Sequence, residues 1–350
     1  MPEPVEPAED KVAKYGAKFL LGLLVYLFTT GVVLFAAAFW WGAHGFNAAG
    51  PLQEAKLISI ERGTGLNQIA AFLEREGAID HRYLFILGTR VLGGAGDLKA
   101  GEYELDAGIS AHKIVQKLRS HDVYGRRVTI REGLTSFEIV RLLKEVDHLS
   151  GEVSAVPKEG SLLPNTYDYR LEEPREAILS RMAENMSATL DAAWEARRDG
   201  LPIKSKEEAL TLASIIEKET AVAAERRKVA GVFINRLKRG IPLQTDPTVI
   251  YAITKGRHKN DGKGPLGRRL LRKDLEYASP YNTYKNAGLP PGPIANPGKA
   301  SIEAALNPEE HDYIFFVADG TGGHVFAKTL REHNNNVAKW RKIRRAQSQK

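Results

Sequence analysis

The longest hydrophobic stretch lies near the start of the chain: from Phe19 to Gly42 no side chain carries a formal charge. At about 1.5 Å per residue, a helix of this stretch would be about 36 Å long, enough to cross a hydrocarbon core of about 30 Å. A cleavable signal would have a shorter apolar region, about 7–15 residues, and a small-x-small ending. Here the stretch closes on Phe39-Trp40-Trp41, so it predicts a retained transmembrane helix. Lys11, Lys14 and Lys18 precede it and the next Lys or Arg is Lys56. The positive-inside rule therefore predicts a cytoplasmic N-terminal tail (1–18), a membrane span (19–42) and everything later on the outer side.

Beyond a linker (43–55) the pattern changes to short alternating runs. Lys56–Glu61 alternates as a strand does, and Leu66, Ile69, Ala70, Phe72 and Leu73 come next at helical spacing, with Thr64 as the expected cap and Gly77 as the stop. Asp80 is the expected cap of a second helix bearing Tyr83, Leu84, Ile86, Leu87 and Val91, and Gly101–Leu105 reads as a returning strand. This strand–helix–helix–strand order resembles a LysM module, a small glycan-binding fold, over 56–120, with a further helix at Ser110–Arg119. A connecting α/β segment (121–156) holds a strand near Val128–Arg131 and a helix from Thr135 or Ser136 to Val146. A composition shift at Val156–Gly160 marks the next boundary. After it, helices are expected at Pro174–Asp199, Lys206–Glu219 and Ala224–Arg239, and strands at Tyr313–Val317 and Val325–Ala327. The predicted class is α+β: one transmembrane helix, the LysM-like lobe, a mixed α+β domain (157–343) and a basic C-terminal tail (344–350).

Composition narrows the chemistry. With 43% apolar and 27% charged residues the chain is too polar for a multi-span membrane protein and too apolar for a disordered one. The net charge of +7 identifies no partner by itself, and the absence of cysteine excludes disulfides, thiolate metal sites and cysteine nucleophiles. The nine histidines show no ligand spacing, so no metal and no cofactor is expected. Gly256–Gly264 is a poor match to a phosphate loop and reads as an exposed turn. The basic cluster Arg268, Arg269, Arg272 and Lys273 reads as a solvated face rather than a nucleic-acid site, given its expected place outside the membrane.

Candidate acids stand at the end of the Lys206–Glu219 helix. Residues two apart on a helix point about 160° away from each other, so Glu217 and Glu219 flank opposite margins of the apolar face and cannot form the close acid pair of a retaining glycosidase. A carboxyl beside apolar side chains keeps its proton to higher pH and can act as a general acid. The same residues could equally pair with Lys218, Arg226 or Arg227, and spacing alone leaves both readings open.

The motifs themselves carry a resemblance. Ala213–Thr220 (ASIIEKET), Val232–Leu237 (VFINRL), Leu243–Tyr251 (LQTDPTVIY), Ser279–Tyr284 (SPYNTY), Gly288–Ile294 with Asn296-Pro297, and Gly323–Phe326 with Glu332–Asn334 closely resemble, in order, the endolytic murein transglycosylases of the YceG-like family. That resemblance implies cleavage between N-acetylmuramic acid and N-acetylglucosamine in nascent peptidoglycan, without water, giving 1,6-anhydro ends and ending strand elongation. It implies Glu217 as the catalytic acid, with Glu219 left to packing or ion pairing. Gln244, Asp246, Thr248 and Asn282 offer hydroxyl-matching groups, and Tyr167, Tyr251, Tyr281 and Tyr284 offer flat faces for sugar rings. It further implies an inner-membrane protein with a periplasmic catalytic domain and peptidoglycan synthases as partners. The alternatives are a non-catalytic glycan-binding scaffold and a hydrolase that uses water.

Overall fold

The computed structural model describes residues 8–94, 96–257 and 266–348. The start of the expected cytoplasmic tail, most of the Gly256–Gly264 turn and the last two residues of the basic tail lie outside the described residues. Two compact units divide the chain between Tyr124 and Gly125.

In the first unit, α1 (Ala8–Asn47) is one continuous helix, about 60 Å at 1.5 Å per residue. Leu20–Asn47 is long and apolar enough to cross a membrane, and it is exposed along its length until its last turns. There Phe46 enters the core of the globular part. β1 (Lys56–Ile60) pairs antiparallel with β2 (Gly101–Leu105), Ile58 opposite Tyr103. Between them run α2 (Leu66–Arg75) and α3 (Arg82–Val91), and α4 (Ala111–Ser120) comes after β2. The strand–helix–helix–strand order is thus present.

Both expected caps shift. Gly65, not Thr64, precedes α2, because the Gln68 side chain folds back to accept its N–H at 3.1 Å. α3 starts after His81 rather than Asp80, its first N–H donating to Glu74 of α2 at 3.0 Å. Ile69, Leu73, Phe85, Tyr103, Leu105, Ile114 and Leu118 are fully buried between these elements.

The second unit begins earlier than the composition shift at 156–160 suggests. β3 (Arg126–Thr129) pairs antiparallel with β5 (Thr166–Tyr169), Val128 opposite Tyr167. α5 (Ser136–Glu145) lies between them, closed by a capping box of Thr135 and Glu138. β4 (Leu149–Ser150) and β6 (Glu173–Pro174) make a short parallel pair before α6 (Arg175–Glu195). Residues from both sides of the expected boundary, among them Ile130, Ile139, Leu143, Leu162, Ile178 and Met182, form one core. The segment 121–156 is therefore no separate connector. Its strand finds a partner about 40 residues away, which local patterning does not register.

A second core gathers α7 (Lys206–Glu219), α8 (Arg226–Lys238), α9 (Asp246–Thr254) and α10 (Lys299–Leu306) around Leu212, Ile216, Phe233, Ile294 and Ile302. Ser205 caps α7 by accepting the Glu208 N–H at 3.2 Å, and Glu207 and Glu208 sit in the first turn, where the helix dipole favours them. The hairpin β7 (Phe315–Ala318) and β8 (His324–Ala327) packs Phe316 and Phe326 on the same core. The expected C-terminal tail is helical to Ser348 as part of α11 (Leu330–Ser348).

Asn296 ties the two cores of this unit together. Fully buried, it accepts from Leu162 N at 2.9 Å and donates through Nδ2 to Leu134 O, Ser136 Oγ and Glu159 Oε1, each at 3.1 Å. Every hydrogen-bonding group of this buried amide side chain is thus used, as its desolvation requires.

Candidate active site

α7 ends on two carboxylates with different surroundings. Glu217 Oε2 accepts the Gly298 N–H at 3.0 Å and the Ser301 hydroxyl at 2.7 Å. Gly298 precedes α10, so the carboxylate engages free donors at a helix start. Glu132 lies against Gly298 as well. Burial, then the Glu217 charge, pushes the Glu132 carboxyl above its ordinary range, with Arg226 opposing.

Glu219 is the last residue of α7 and half-buried. Its Oε1 accepts a hydrogen bond from the Thr245 hydroxyl. Burial is the largest influence on its carboxyl and the Asp246 charge adds to it; the Thr245 bond, His324 and Arg236 oppose them, and the net direction is upward. The group holds its proton to higher pH than a free glutamate.

Thr245 is placed by α9. It stands at the N-cap, donates its N–H to Thr283 Oγ1 at 3.1 Å, and its carbonyl accepts from the Thr248 hydroxyl at 2.7 Å. The Thr248 and Thr283 hydroxyls are 2.8 Å apart. Asp246, exposed in the first turn, accepts the Tyr284 hydroxyl at 2.7 Å. Burial, then that bond and the charges of Asp246 and Glu219, raises the Tyr284 phenol, which stays protonated and a donor. Gln244, just before, is exposed and has φ of 51°, the left-handed region that a non-glycine residue rarely occupies. Such strain concentrates at functional sites.

Two further groups bear on Glu219 that sequence reasoning did not single out for it. Arg236 is buried, donating to Ile314 O at 2.7 Å, Leu243 O at 2.8 Å and Pro242 O at 3.1 Å, so it fixes the loop before α9 to the β7 hairpin. His324 has Nδ1 2.7 Å from Glu225 Oε2, and its backbone N–H donates to Glu225 Oε1 at 3.0 Å. Both fall inside motifs visible in the sequence (VFINRL and GHVF), but their spacing does not place them against Glu219.

The structure brings Asp246 and Tyr284 beside Glu219, with Gln244 on the adjoining backbone. Tyr251 and Tyr281 meet at a tilt of 48°, 5.0 Å between centroids, half-buried, with Tyr251 bonded to Glu159. Three expected contacts turn inward instead. Thr248 is fully buried in the threonine cluster. Asn282 is fully buried, donating to Leu275 O at 2.9 Å and Tyr277 O at 2.8 Å and accepting from Tyr284 N at 3.0 Å. Tyr167 lies in the other core, its hydroxyl donating to Leu163 O at 2.7 Å. Their polar groups are consumed by buried backbone, which polarity alone does not reveal.

Arg268 of the basic cluster is also committed, gripping Asp274 at 2.6 and 3.0 Å, and it holds that carboxyl down to about 2. Among the described residues no group of His, Asp and Glu could hold a metal ion.

Comparison with known proteins gives the chain's family. The model of the YceG-like family matches residues 58–339. An endolytic murein transglycosylase of Bacillus subtilis is 35% identical over 316 residues, covering 81% of this chain and 84% of that protein. One from Streptococcus pneumoniae is 29% identical over 333 residues, 80% of this chain and 57% of that longer protein. A solved yceG-like protein of Listeria monocytogenes is 33% identical, with a TM-score of 0.46 over 81% of this chain and 99% of its own. From the extent of the family match and the Bacillus relative, this chain belongs to the YceG-like family.

Proposed function

We propose that this protein is a membrane-anchored lytic transglycosylase of peptidoglycan whose acid and base is Glu219. The observation that carries the reading is the carboxyl of Glu219, half-buried, bonded by Thr245 and with its proton affinity raised, next to the exposed Asp246. Glu217, the acid first implied by family resemblance, already has Oε2 engaged by two donors at the start of α10.

In this reading Glu219 gives its proton to the glycosidic oxygen as the bond to the muramyl C1 breaks, and the electron pair leaves with the N-acetylglucosamine oxygen. The negative charge of Asp246, oriented by Tyr284, favours the positive charge that develops on the sugar. The muramyl 6-hydroxyl then attacks C1, its proton passes to the Glu219 carboxylate, and a 1,6-anhydro end forms with no water consumed. The substrate supplies its own nucleophile, so one carboxyl suffices and proximity is internal. Gln244, with Tyr251 and Tyr281, is assigned to sugar contact.

The bonding of Thr248, Asn282 and Tyr167 favours supporting roles for them. With α1 as anchor, the enzyme would sit in the inner membrane with its second unit on the periplasmic side, where cutting nascent strands would end their elongation beside a synthase. The strand–helix–helix–strand lobe is assigned a LysM-like glycan contact.

The test is product mass from the full chain in vesicles incubated with glycan strands. Anhydro-muramyl ends support the reading, reducing ends replace it with a hydrolase, and binding without cleavage replaces it with a scaffold. Glu219→Gln should abolish cleavage and keep glycan binding, whereas loss with Glu217→Gln alone returns the role to Glu217.

A further inference from the structure

α3 leaves an apolar stripe uncovered. Tyr83, Leu87 and Val91 are 72%, 62% and 70% exposed, far more than the partly buried Leu84 and Ile86 of the same helix. At about 100° per residue they lie within one arc of about 80°. Scattered single apolar residues need no explanation, but three in register on one helix do.

The neighbouring arc of α3 faces the end of α1. Leu84 packs on Gly45 and Gly42, where an added Cβ would stand 3.2 and 3.7 Å from its methyl carbons, and the Phe46 ring fills the space that a side chain at Gly88 would occupy. Phe46 also meets His112 of α4 edge-on, at 5.7 Å between centroids. The stripe therefore borders the arc of α3 that packs on the last turns of the helix that can cross a membrane, a helix on which Trp40 and Trp41 are also exposed. On its other margin stand basic groups. Arg82 lies over the Tyr83 ring at 4.8 Å, and Arg90 is exposed. An apolar stripe beside cations is the pattern of a helix lying in a lipid interface, with aromatic and aliphatic tips among the acyl chains and guanidinium groups at the phosphates.

We propose that α3 rests on the outer face of the bilayer, with Tyr83, Leu87 and Val91 in the lipid interface and Arg82 and Arg90 facing anionic headgroups. This rests on the reading of α1 as the membrane anchor. The contact would fix the lobe against the surface instead of leaving it to swing on a single helix.

The absence of cysteine makes the test direct. Full-length Leu87→Cys and Val91→Cys, each carrying an environment-sensitive fluorophore, are reconstituted in vesicles of phosphatidylcholine and phosphatidylglycerol. Nitroxide lipids quench at shallow or deep positions. Leu34→Cys in mid-helix reports the anchor, and Glu104→Cys, exposed on β2, reports the aqueous side of the lobe. The expected result is loss of most fluorescence at 87 and 91 with the shallow quencher, at 34 with the deep one, and none at 104. If 87 and 91 behave like 104 while 34 is quenched, the anchor stands and the interfacial contact is wrong. If 34 is not quenched, the anchor reading fails and takes this one with it. Self-quenching between labels at 87 without lipid quenching overturns it in favour of a contact between two copies.

Discussion

The start of α10 and the start of α9 each receive a carboxylate from the end of α7, and the two carboxylates meet different surroundings there. At α10, Glu217 meets the N–H of Gly298 and the hydroxyl of Ser301, two donors that satisfy its Oε2 and bind the helices together. At α9, Glu219 meets the N-cap hydroxyl of Thr245, and a second carboxylate, Asp246, occupies the first turn of that helix. The first arrangement spends the carboxylate on joining two helices. The second leaves a half-buried acid with its proton affinity raised, facing a negative neighbour. Two residues of one type, two positions apart, thus have different partners because different helices meet them, and the proposed assignment of the acid rests on that difference.

The strongest way to break this comparison is the pair of glutamine variants. Glu219→Gln should lower turnover by at least about 10²-fold, the usual scale for a lost general acid, with glycan affinity preserved in a pull-down. Glu217→Gln should keep turnover within a few-fold and instead lower the thermal midpoint, by about 1–2 kcal/mol of stability for weakened charge-assisted bonds.

Next in size, Asp246→Asn should cut kcat by roughly tenfold or more as the charge facing the reacting sugar is lost. It also removes a charge that raises the Glu219 carboxyl, so the alkaline limb of the kcat profile should move to lower pH. Thr245→Val works in the opposite sense. The hydroxyl stabilises the Glu219 carboxylate, so its loss should move that limb upward while kcat falls several-fold through misorientation.

The smallest effect is on stability. Because the folded state holds the Glu219 proton above the pH at which the unfolded chain releases it, folding loses about 1.4 kcal/mol for each unit of separation as pH rises across that window. Denaturant titrations from acid to neutral pH should show this slope in the parent and not in Glu219→Gln. An unchanged slope would mean that the carboxyl is not perturbed.

The helices of both units were legible because amphipathic spacing and caps are local. Ser110, Thr135 and Ser205 accept the bonds that their positions suggest. The starts of α2 and α3 were not, since Gln68 and Glu74 supply those caps from neighbouring turns. In the same way the motifs picked out the candidate residues, but polarity could not separate Gln244, which faces solvent in a strained backbone, from Asn282 and Thr248, whose groups are spent on buried carbonyls and hydroxyls.

The sequence by itself determined what depends on composition and on neighbours a few residues apart: the apolar helix near the N-terminus, the α+β alternation, the family motifs and the two acids at the end of α7. Tertiary structure alone decided which donors meet each of the two acids, and that residues 125–156 share a core with residues of the segment after them. Those outcomes depend on pairings such as Glu217 with Ser301, Glu219 with Thr245 and β3 with β5. A carboxyl's proton affinity and a strand's partner are set by groups brought close by folding, and the order of residues along the chain carries that proximity only through the fold.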